Sequence, residues 1–218
     1  MVSTKITSGD IAEIDRKLKT YLGDMVKIEY LENCLRTMIP NDASRFCHLK
    51  LSELYANRLM YGPAAKHLES AADTAVTYKD KIDCYLKEVY YLIKMSDYLM
   101  IDKAFKKALM IANNEEKIQV KESLKKMLLS QADEYEKKTM RSHAAQIYER
   151  LIEMPITNEQ EKKDLMAKTA GLNSKLGRLK EAIRYEQMVK RPIEPRRLPP
   201  EENVKKISFE DLGLDEVR

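Results

Sequence analysis

The chain of 218 residues has only six glycines, seven prolines and no tryptophan, and its abundance of Ala, Leu, Lys, Glu and Met indicates a helical protein. Charged residues make up 34% at a formal net charge of +4, which excludes a dominant field of either sign and leaves nucleic-acid binding allowed but not required. No stretch approaches the roughly 18 apolar residues that cross a bilayer, and the N-terminus has no signal-peptide pattern. We therefore expect a cytoplasmic protein without membrane insertion.

The first segment, from Ser8 to Ile39, predicts one helix pair. Asp10 offers an N-cap for the first amphipathic stretch, Gly23 separates this stretch from a second one, and Pro40 ends the second. We assign residues 1–40 to an N-terminal capping helix pair.

Residues 41–190 repeat one pattern about every 40 residues. An alanine opens an amphipathic helix in each unit, and in two units a small residue and an aromatic residue precede it, Ser52 with Tyr55 and Ala132 with Tyr135. The four alanines, 40, 40 and 38 residues apart, are Ala64, Ala104, Ala144 and Ala182. Small residues let two helix backbones approach closely, and neither helix of a pair can bury its apolar stripe alone. The pattern predicts an all-α fold, an α-solenoid of four to five antiparallel helix pairs in a right-handed stack.

This arrangement resembles the tetratricopeptide repeat over roughly residues 42 to 190. Its best match is Leu176-Gly177-Arg178-Leu179-Lys180-Glu181-Ala182, which is similar to the turn and the start of the second helix in that family. The spacing exceeds the usual 34 residues, so the long-repeat arrays of soluble NSF-attachment proteins are a better comparison. Asn173 departs from the pattern at an aromatic position, and in the second unit Leu92 and Met95 stand at the small and aromatic positions.

The resemblance implies a scaffold that binds a protein partner through a curved inner face. Tetratricopeptide arrays that hold a terminal carboxylate present Lys and Asn there, whereas this chain has Leu49, Glu53, Leu129 and Asp133, so a chaperone-tail receptor is disfavoured. Aromatic and methionine residues exceed the needs of one core stripe and form the candidate contact surface: Tyr90, Tyr91, Tyr98 and Met100. Core packing is the alternative explanation for these four residues, and a homodimer through them is compatible with the sequence.

After Lys190 the composition changes, and we assign residues 191–218 to a Pro-rich linker and an acidic-hydrophobic tail. Four prolines within residues 192–200 exclude a helix there. The tail alternates acidic residues with the apolar residues Phe209, Leu212, Leu214 and Val217. Such a segment either docks on a partner or folds back onto its own array.

Basic residues gather in the C-terminal half and predict a second kind of surface. The candidates are Lys137, Lys138, Arg141, Lys175, Arg178, Arg184, Arg196 and Arg197. If the stack brings them to one side, they suit a phosphate backbone, and a ribosome- or RNA-associated factor is the alternative function. Interleaved acidic residues such as Glu134 and Glu181 favour ordinary solvated helix faces instead.

Nothing in the sequence predicts catalysis, a metal or another cofactor. His48, His67 and His143 lie far apart along the chain, and neither a Cys-x-x-Cys pair nor a glycine-rich phosphate loop occurs. The three cysteines, at positions 34, 47 and 84, stand among apolar neighbours, which predicts buried thiols. We therefore expect a protein that is not an enzyme.

Overall fold

The computed structural model describes residues 10–190, which form ten α-helices and no strand in this part of the chain. The helices are α1 (Ile11–Thr20), α2 (Asp24–Leu35), α3 (Asn41–Asn57), α4 (Tyr61–Asp73), α5 (Tyr78–Met95), α6 (Tyr98–Ile111), α7 (Asn114–Lys137), α8 (Arg141–Glu153), α9 (Glu159–Lys175) and α10 (Leu179–Lys190). From α3 onward they form four antiparallel pairs joined by turns of two or three residues. The predicted all-α array of helix pairs is confirmed, and Asp10 caps α1 as expected.

The four turns within the pairs share one backbone geometry. Each contains a single left-handed residue, Leu59, Ser96, Thr139 or Gly177, with φ of 60°, 57°, 58° and 75°. In each turn the amide of the following residue bonds the carbonyl five residues earlier, as Met140 N–H bonds the Tyr135 carbonyl at 2.8 Å. This is the Schellman helix ending, which satisfies carbonyls that the helix leaves free. The four left-handed residues therefore give a structural register for comparing the pairs.

Counting positions from the left-handed turn residues aligns the α5–α6 pair, the second repeat unit, differently from the sequence-based prediction. Ala64, Ala144 and Ala182 each lie five residues after the left-handed residue, and in α6 this position is occupied by Ile101. Ala104, the predicted equivalent, is buried but lies three residues further along the same helix face. All four predicted alanines are buried, yet the assignment of Ala104 to the repeat position was wrong.

The same register corrects the first helix of that unit. The positions of Ser52 and Tyr55 correspond to Val89 and Leu92, not to Leu92 and Met95. Val89 and Leu92 are buried, whereas Met95 is exposed. The pairs begin at residues 41, 78, 114 and 159, so their spacing ranges from 36 to 45 residues and a uniform repeat of about 40 is not confirmed.

Two hydrophobic cores hold the described chain together. A smaller core joins α1 and α2 to α3 and contains Ile14, Leu31 and Leu51, while a larger core runs from α4 to α9. The three cysteines are buried and unpaired, as predicted. Both helices of the predicted capping segment thus pack on α3, but the domain boundaries at residues 40 and 190 stay a prediction.

Between α3 and α9, ion pairs connect helices that lie two places apart in the chain. Arg45–Asp80 (2.9 Å) and Lys94–Glu134 (2.8 Å) join first helices, as does Lys125–Glu161 (2.9 Å). Lys107–Glu69 (2.6 Å) and Arg150–Asp102 join second helices. Each pair is partly exposed and contributes about 0–1 kcal/mol, so burial supplies most of the stability while the ion pairs help to orient neighbouring units.

No helix within residues 11–190 combines the length and the apolar character that a membrane span requires.

Candidate protein-binding groove

The first helices of three consecutive pairs, α3, α5 and α7, leave a groove between them. Its volume is about 550 Å³. The lining residues are Leu49, Ser52, Glu53, Leu68, Asp83, Leu86, Lys87, Tyr90, Tyr91 and Met127. Apolar side chains dominate this lining and a few charged groups stand at its edges, which is the usual character of a binding site in a protein.

A second cavity of about 270 Å³ continues the groove between α5 and α7. Tyr90 and Met127 line both cavities, so these two side chains form the boundary between them. Two smaller hollows extend the same row of helices, one of about 240 Å³ beside α1 and α3 and one of about 180 Å³ beside α7 and α9. The surface made by the first helices is therefore indented along most of the array.

Three tyrosines build one wall of the groove. Tyr61, at the start of α4, stacks on Tyr91 with ring centroids 5.9 Å apart, and Tyr90 meets Tyr91 edge-on at 5.5 Å. Burial raises the pKa of the Tyr91 hydroxyl, while the Tyr90 ring remains exposed. A ring held by its neighbours loses little conformational freedom when a ligand packs on it.

Gln131 contributes an unpaired hydrogen-bond acceptor to the second cavity. Its side chain is only 5% exposed, and its Oε1 has no partner among the described residues. A buried acceptor without a donor costs about 1–3 kcal/mol, a cost that a donor reaching Oε1 from the cavity would remove. An N–H group from a ligand or a water molecule has the required chemistry.

Three acidic and three basic residues line the two cavities, so the charges around the groove are mixed and balanced. Lys94 bonds both carboxylate oxygens of Glu134, at 2.8 and 2.9 Å, and lies 5.5 Å from the centre of the Tyr90 ring. The Lys94 ammonium holds the pKa of Glu134 below its usual range. Glu53 pairs with Lys50 at 3.0 Å. The groove therefore does not select a strongly charged ligand.

The four predicted contact residues are divided between two places. Tyr90 and Tyr91 lie together in the groove, whereas Tyr98 and Met100 stand on α6 and pack against the larger core. The Arg150 guanidinium lies 5.0 Å from the Tyr98 ring centroid, and burial raises the pKa of Tyr98. Tyr98 and Met100 do not line either cavity.

Sequence reasoning missed Met127 and Gln131. A signal was available, because Gln131 lies four residues before Tyr135 on the helix face that should be apolar. Its significance depends on the neighbouring α5 surface, which only the fold supplies.

Five of the eight predicted basic residues lie at two neighbouring turns. Lys137, Lys138 and Arg141 lie at the α7–α8 turn, and Lys175 and Arg178 lie at the α9–α10 turn. Arg178 Nη2 donates to Ser142 Oγ at 3.3 Å, which brings the two turns together. Arg184 is exposed on α10. Arg196, Arg197 and the tail residues Phe209, Leu212, Leu214 and Val217 lie outside the described residues.

Two histidines that are distant in sequence meet between α3 and α4. Their Nδ1 atoms, in His48 and His67, are 3.0 Å apart. Burial, and then the neighbouring His67, lower the pKa of His48 to about 4, so its ring stays neutral near pH 7. Tyr55 stacks on His67 at 5.5 Å and donates a hydrogen bond to Glu32 at 2.6 Å. These contacts join α2, α3 and α4 and offer no nucleophile with a base.

The part of the chain that the structure describes shows no evident metal site. Within residues 10–190 no three His, Cys, Asp or Glu side chains come together as ligands.

Comparisons with known proteins give loose structural matches. The apo form of the quorum sensor NprR from B. thuringiensis matches with a TM-score of 0.38 and 17% identity, over 78% of this chain and 49% of its own. YrrB, a TPR protein with an unusual peptide-binding site, matches with a TM-score of 0.36 and 13% identity, over 83% and 80%. A putative kinesin light chain from Podosopora anserina with nearly identical TPR-like repeats matches with a TM-score of 0.38 and 11% identity, over 87% of this chain and 95% of its own.

This chain thus spans about half the length of NprR. No protein-family model matches the sequence, and the comparison with curated proteins finds no match. At these TM-scores the matches carry no information about a shared ligand. The chain is a tetratricopeptide-like helical array by its own paired helices and repeated turns.

Proposed function

We propose that this chain is a non-catalytic protein-interaction scaffold and that the groove between α3, α5 and α7 holds a segment of a partner protein. The observation that carries the proposal is an exposed tyrosine and a methionine at the boundary of two cavities, with the buried, unpaired acceptor of Gln131 in the second cavity. The three buried, unpaired cysteines support a cytoplasmic location.

The groove has the features of an energetic centre in a protein interface. Aromatic residues in well-packed pockets carry much of the binding energy of such interfaces, and Tyr90 is supported by Tyr91 and by the paired Lys94. Met127 has a flexible side chain that adapts to different ligand shapes. Because the helices are already rigid, little chain entropy is lost on binding.

The free acceptor of Gln131 favours a peptide segment over a purely apolar ligand. A backbone N–H or a side-chain amide of the peptide would satisfy Oε1, and a ligand without a donor would leave the desolvation cost in place. The balanced charges that line the two cavities favour a segment of low net charge. The proposed ligand is an uncharged, apolar peptide that presents at least one N–H at the α5–α7 junction.

Selection of peptides from a random library on the full chain, followed by affinity measurements, tests this proposal. Tyr90→Ala should weaken the selected peptides by roughly tenfold or more, a typical loss at a central interface tyrosine. Gln131→Leu, of similar size but without the acceptor, should shift the selection toward ligands that place no donor there. Tyr78→Ala is the matched control, because Tyr78 is an exposed tyrosine on the same helix, far from the groove. Equal affinity in the Tyr90→Ala and Tyr78→Ala variants would refute the groove assignment.

A second candidate function is RNA binding at the two basic turns. The observation in its favour is the Arg178–Ser142 contact, which brings the basic α7–α8 and α9–α10 turns together. Binding of an RNA duplex to the full chain should then weaken steeply with salt. Replacing Lys137, Lys138 and Arg141 by glutamine should flatten that dependence. Salt-insensitive binding, or no binding, would contradict the RNA function and leave the protein scaffold as the proposed function.

A further inference from the structure

The outer face of α10 carries two exposed apolar side chains. Leu179 and Ile183 are 61% and 53% exposed and lie four residues apart, so they form one row along the helix. Ala182 faces the other way and is buried as α10 packs on α9. Nothing within residues 10–190 covers this apolar row.

The position equivalent to Ile183 is covered by the next helix pair in α4 and α8, while in α6 it holds the half-exposed Asp102. Counted from the left-handed turn residue, Ile183 corresponds to Ala65 in α4 and Ala145 in α8. These alanines are only 4% and 1% exposed, because α5 packs on α4 and α9 packs on α8. Ile183 thus occupies a position that two of the three other pairs bury, and it carries a larger apolar side chain there. Leu179 corresponds to the half-buried Tyr61 and Tyr98 and to the exposed Arg141.

Basic residues border this row. Lys180 and Arg184 stand one position along from Leu179 and Ile183 and form a parallel exposed row, and Arg178 lies in the turn before them. None of these three basic side chains forms an ion pair with another described residue. Glu181 and Glu186 are also exposed on α10, so the row of Lys180 and Arg184 is basic while the helix as a whole carries mixed charge.

The C-terminal segment of the same chain has the complementary composition. Residues 207–217 contain four acidic and no basic residues. Their large apolar residues are Ile207, Phe209, Leu212, Leu214 and Val217. An acidic-apolar segment matches a basic-apolar face in both charge and hydrophobicity.

The intervening chain is long enough for this contact. Sixteen residues separate Lys190 from Ile207, and at about 3.1 Å per residue in a proline-rich extended form they span up to about 50 Å. The twelve residues of α10 measure only about 18 Å. A segment tethered in this way experiences an effective concentration near the millimolar range, which favours docking within the same chain.

We propose that residues 207–217 bind the outer face of α10 in the same chain, with their apolar side chains over Leu179 and Ile183 and their carboxylates beside Lys180 and Arg184. The segment takes the place that a further helix pair would occupy. This contact is separate from the groove between α3, α5 and α7, so either proposal can fail without the other.

Hydrogen–deuterium exchange on the full chain tests the docking. Amides of residues 207–217 should exchange about tenfold more slowly than in a free peptide of the same sequence, as expected for a mostly bound segment. The double variant Phe209→Ser/Leu212→Ser should lose this protection and speed exchange in residues 179–190. The matched control Ile193→Ser/Leu198→Ser, which removes apolar side chains outside the segment, should change neither.

Charge reversal provides a test that folding defects cannot imitate. Lys180→Glu/Arg184→Glu alters two exposed side chains and should abolish the protection, and adding Asp211→Lys/Asp215→Lys should restore it at low salt. Exchange of residues 207–217 at the free-peptide rate in the unmodified chain would overturn the proposal. Protection that grows with protein concentration would place the segment on a second copy and overturn docking within the chain. Release of protection by Tyr90→Ala would place it in the groove instead.

Discussion

The α5–α6 and α7–α8 pairs use the same turn but fill their helix contacts differently. At three equivalent positions α7–α8 has Ala132, Tyr135 and Ala144, a small, a large and a small residue. The α5–α6 pair has Val89, Leu92 and Ile101 instead, all buried. Both pairs end their first helix with a left-handed residue at the same position and with the same hydrogen bonds.

This difference indicates that the turn, and not the identity of the contact residues, defines a helix pair in this array. Two small residues and one large residue, or three medium-sized residues, can fill the space between helices, provided that the total volume is suitable. The groove of about 550 Å³ lies beside α5. Variation in the contact residues therefore occurs next to the surface that we assign to binding.

The largest expected effect is the loss of stability in an Ile101→Ala variant. Ile101 is fully buried, and truncation leaves a cavity that should lower the free energy of unfolding by about 3 kcal/mol. Urea unfolding followed by circular dichroism measures this change. A loss below about 1 kcal/mol would mean that α5–α6 closes to the tighter geometry of α7–α8 without resistance.

The reciprocal change, Ala144→Ile, should cost about 2 kcal/mol because it adds volume to a closely packed contact. Ala167→Ile, on the exposed face of α9, is the control and should change stability by a few tenths of a kcal/mol. The same unfolding experiment compares the two. If both variants behave alike, the small residue at position 144 is not required for the helices to approach.

A smaller, pH-dependent effect is expected at Glu88 and Gln131, which occupy equivalent positions in α5 and α7. Burial, and then the nearby Glu69, raise the pKa of Glu88 to about 7. A carboxyl with a raised pKa in the folded state contributes stability that is fully present below the unfolded value near 4.5 and is lost as the pH rises through about 7.

Glu88→Gln should therefore stabilise the protein at pH 8 by on the order of 1 kcal/mol and have little effect at pH 5. Gln131→Glu should introduce the same kind of pH dependence into α7. Melting temperatures across this pH range measure both variants. A Glu88→Gln effect of equal size at pH 5 and pH 8 would rule out titration of Glu88 as its cause.

The smallest effect is expected at the shared turns. Thr139→Gly should stabilise the chain by about 0.5 kcal/mol, because a β-branched residue is disfavoured in the left-handed region and this gain exceeds the entropy that glycine loses. Ser96→Gly should stabilise the chain by a smaller amount, and Gly177→Ala should destabilise it. Precise thermal melts resolve this order. A destabilised Thr139→Gly variant would contradict the strain assigned to that turn.

The fold was largely predictable, because periodic apolar residues and close-contact alanines leave few alternatives to paired helices. The second unit was misaligned because Ala104 lies on the same buried face as Ile101 and therefore imitates the repeat position. The turn that separates them from α5 contains Ser96, and a left-handed serine carries no signal comparable to Gly177.

The candidate groove was only half predictable. Tyr90 and Tyr91 were identified from an excess of aromatic residues on one helix. Met127 and Gln131 come from a helix about 40 residues later, and their proximity depends on how two units stack. Spacing along a chain determines which face a residue occupies, but not which distant residue stands opposite it. The meeting of His48 and His67 was unpredictable for the same reason.

The ion pairs that link helices two places apart between α3 and α9 have a mechanical consequence. Each ion pair connects two adjacent helix pairs and none reaches beyond them. Each therefore resists bending only where those two helix pairs meet. These contacts are partly exposed and weaken as ions screen them. We therefore expect the array to bend more easily at high ionic strength. An elongated ligand would encounter a stiffer receptor in dilute buffer than in concentrated salt.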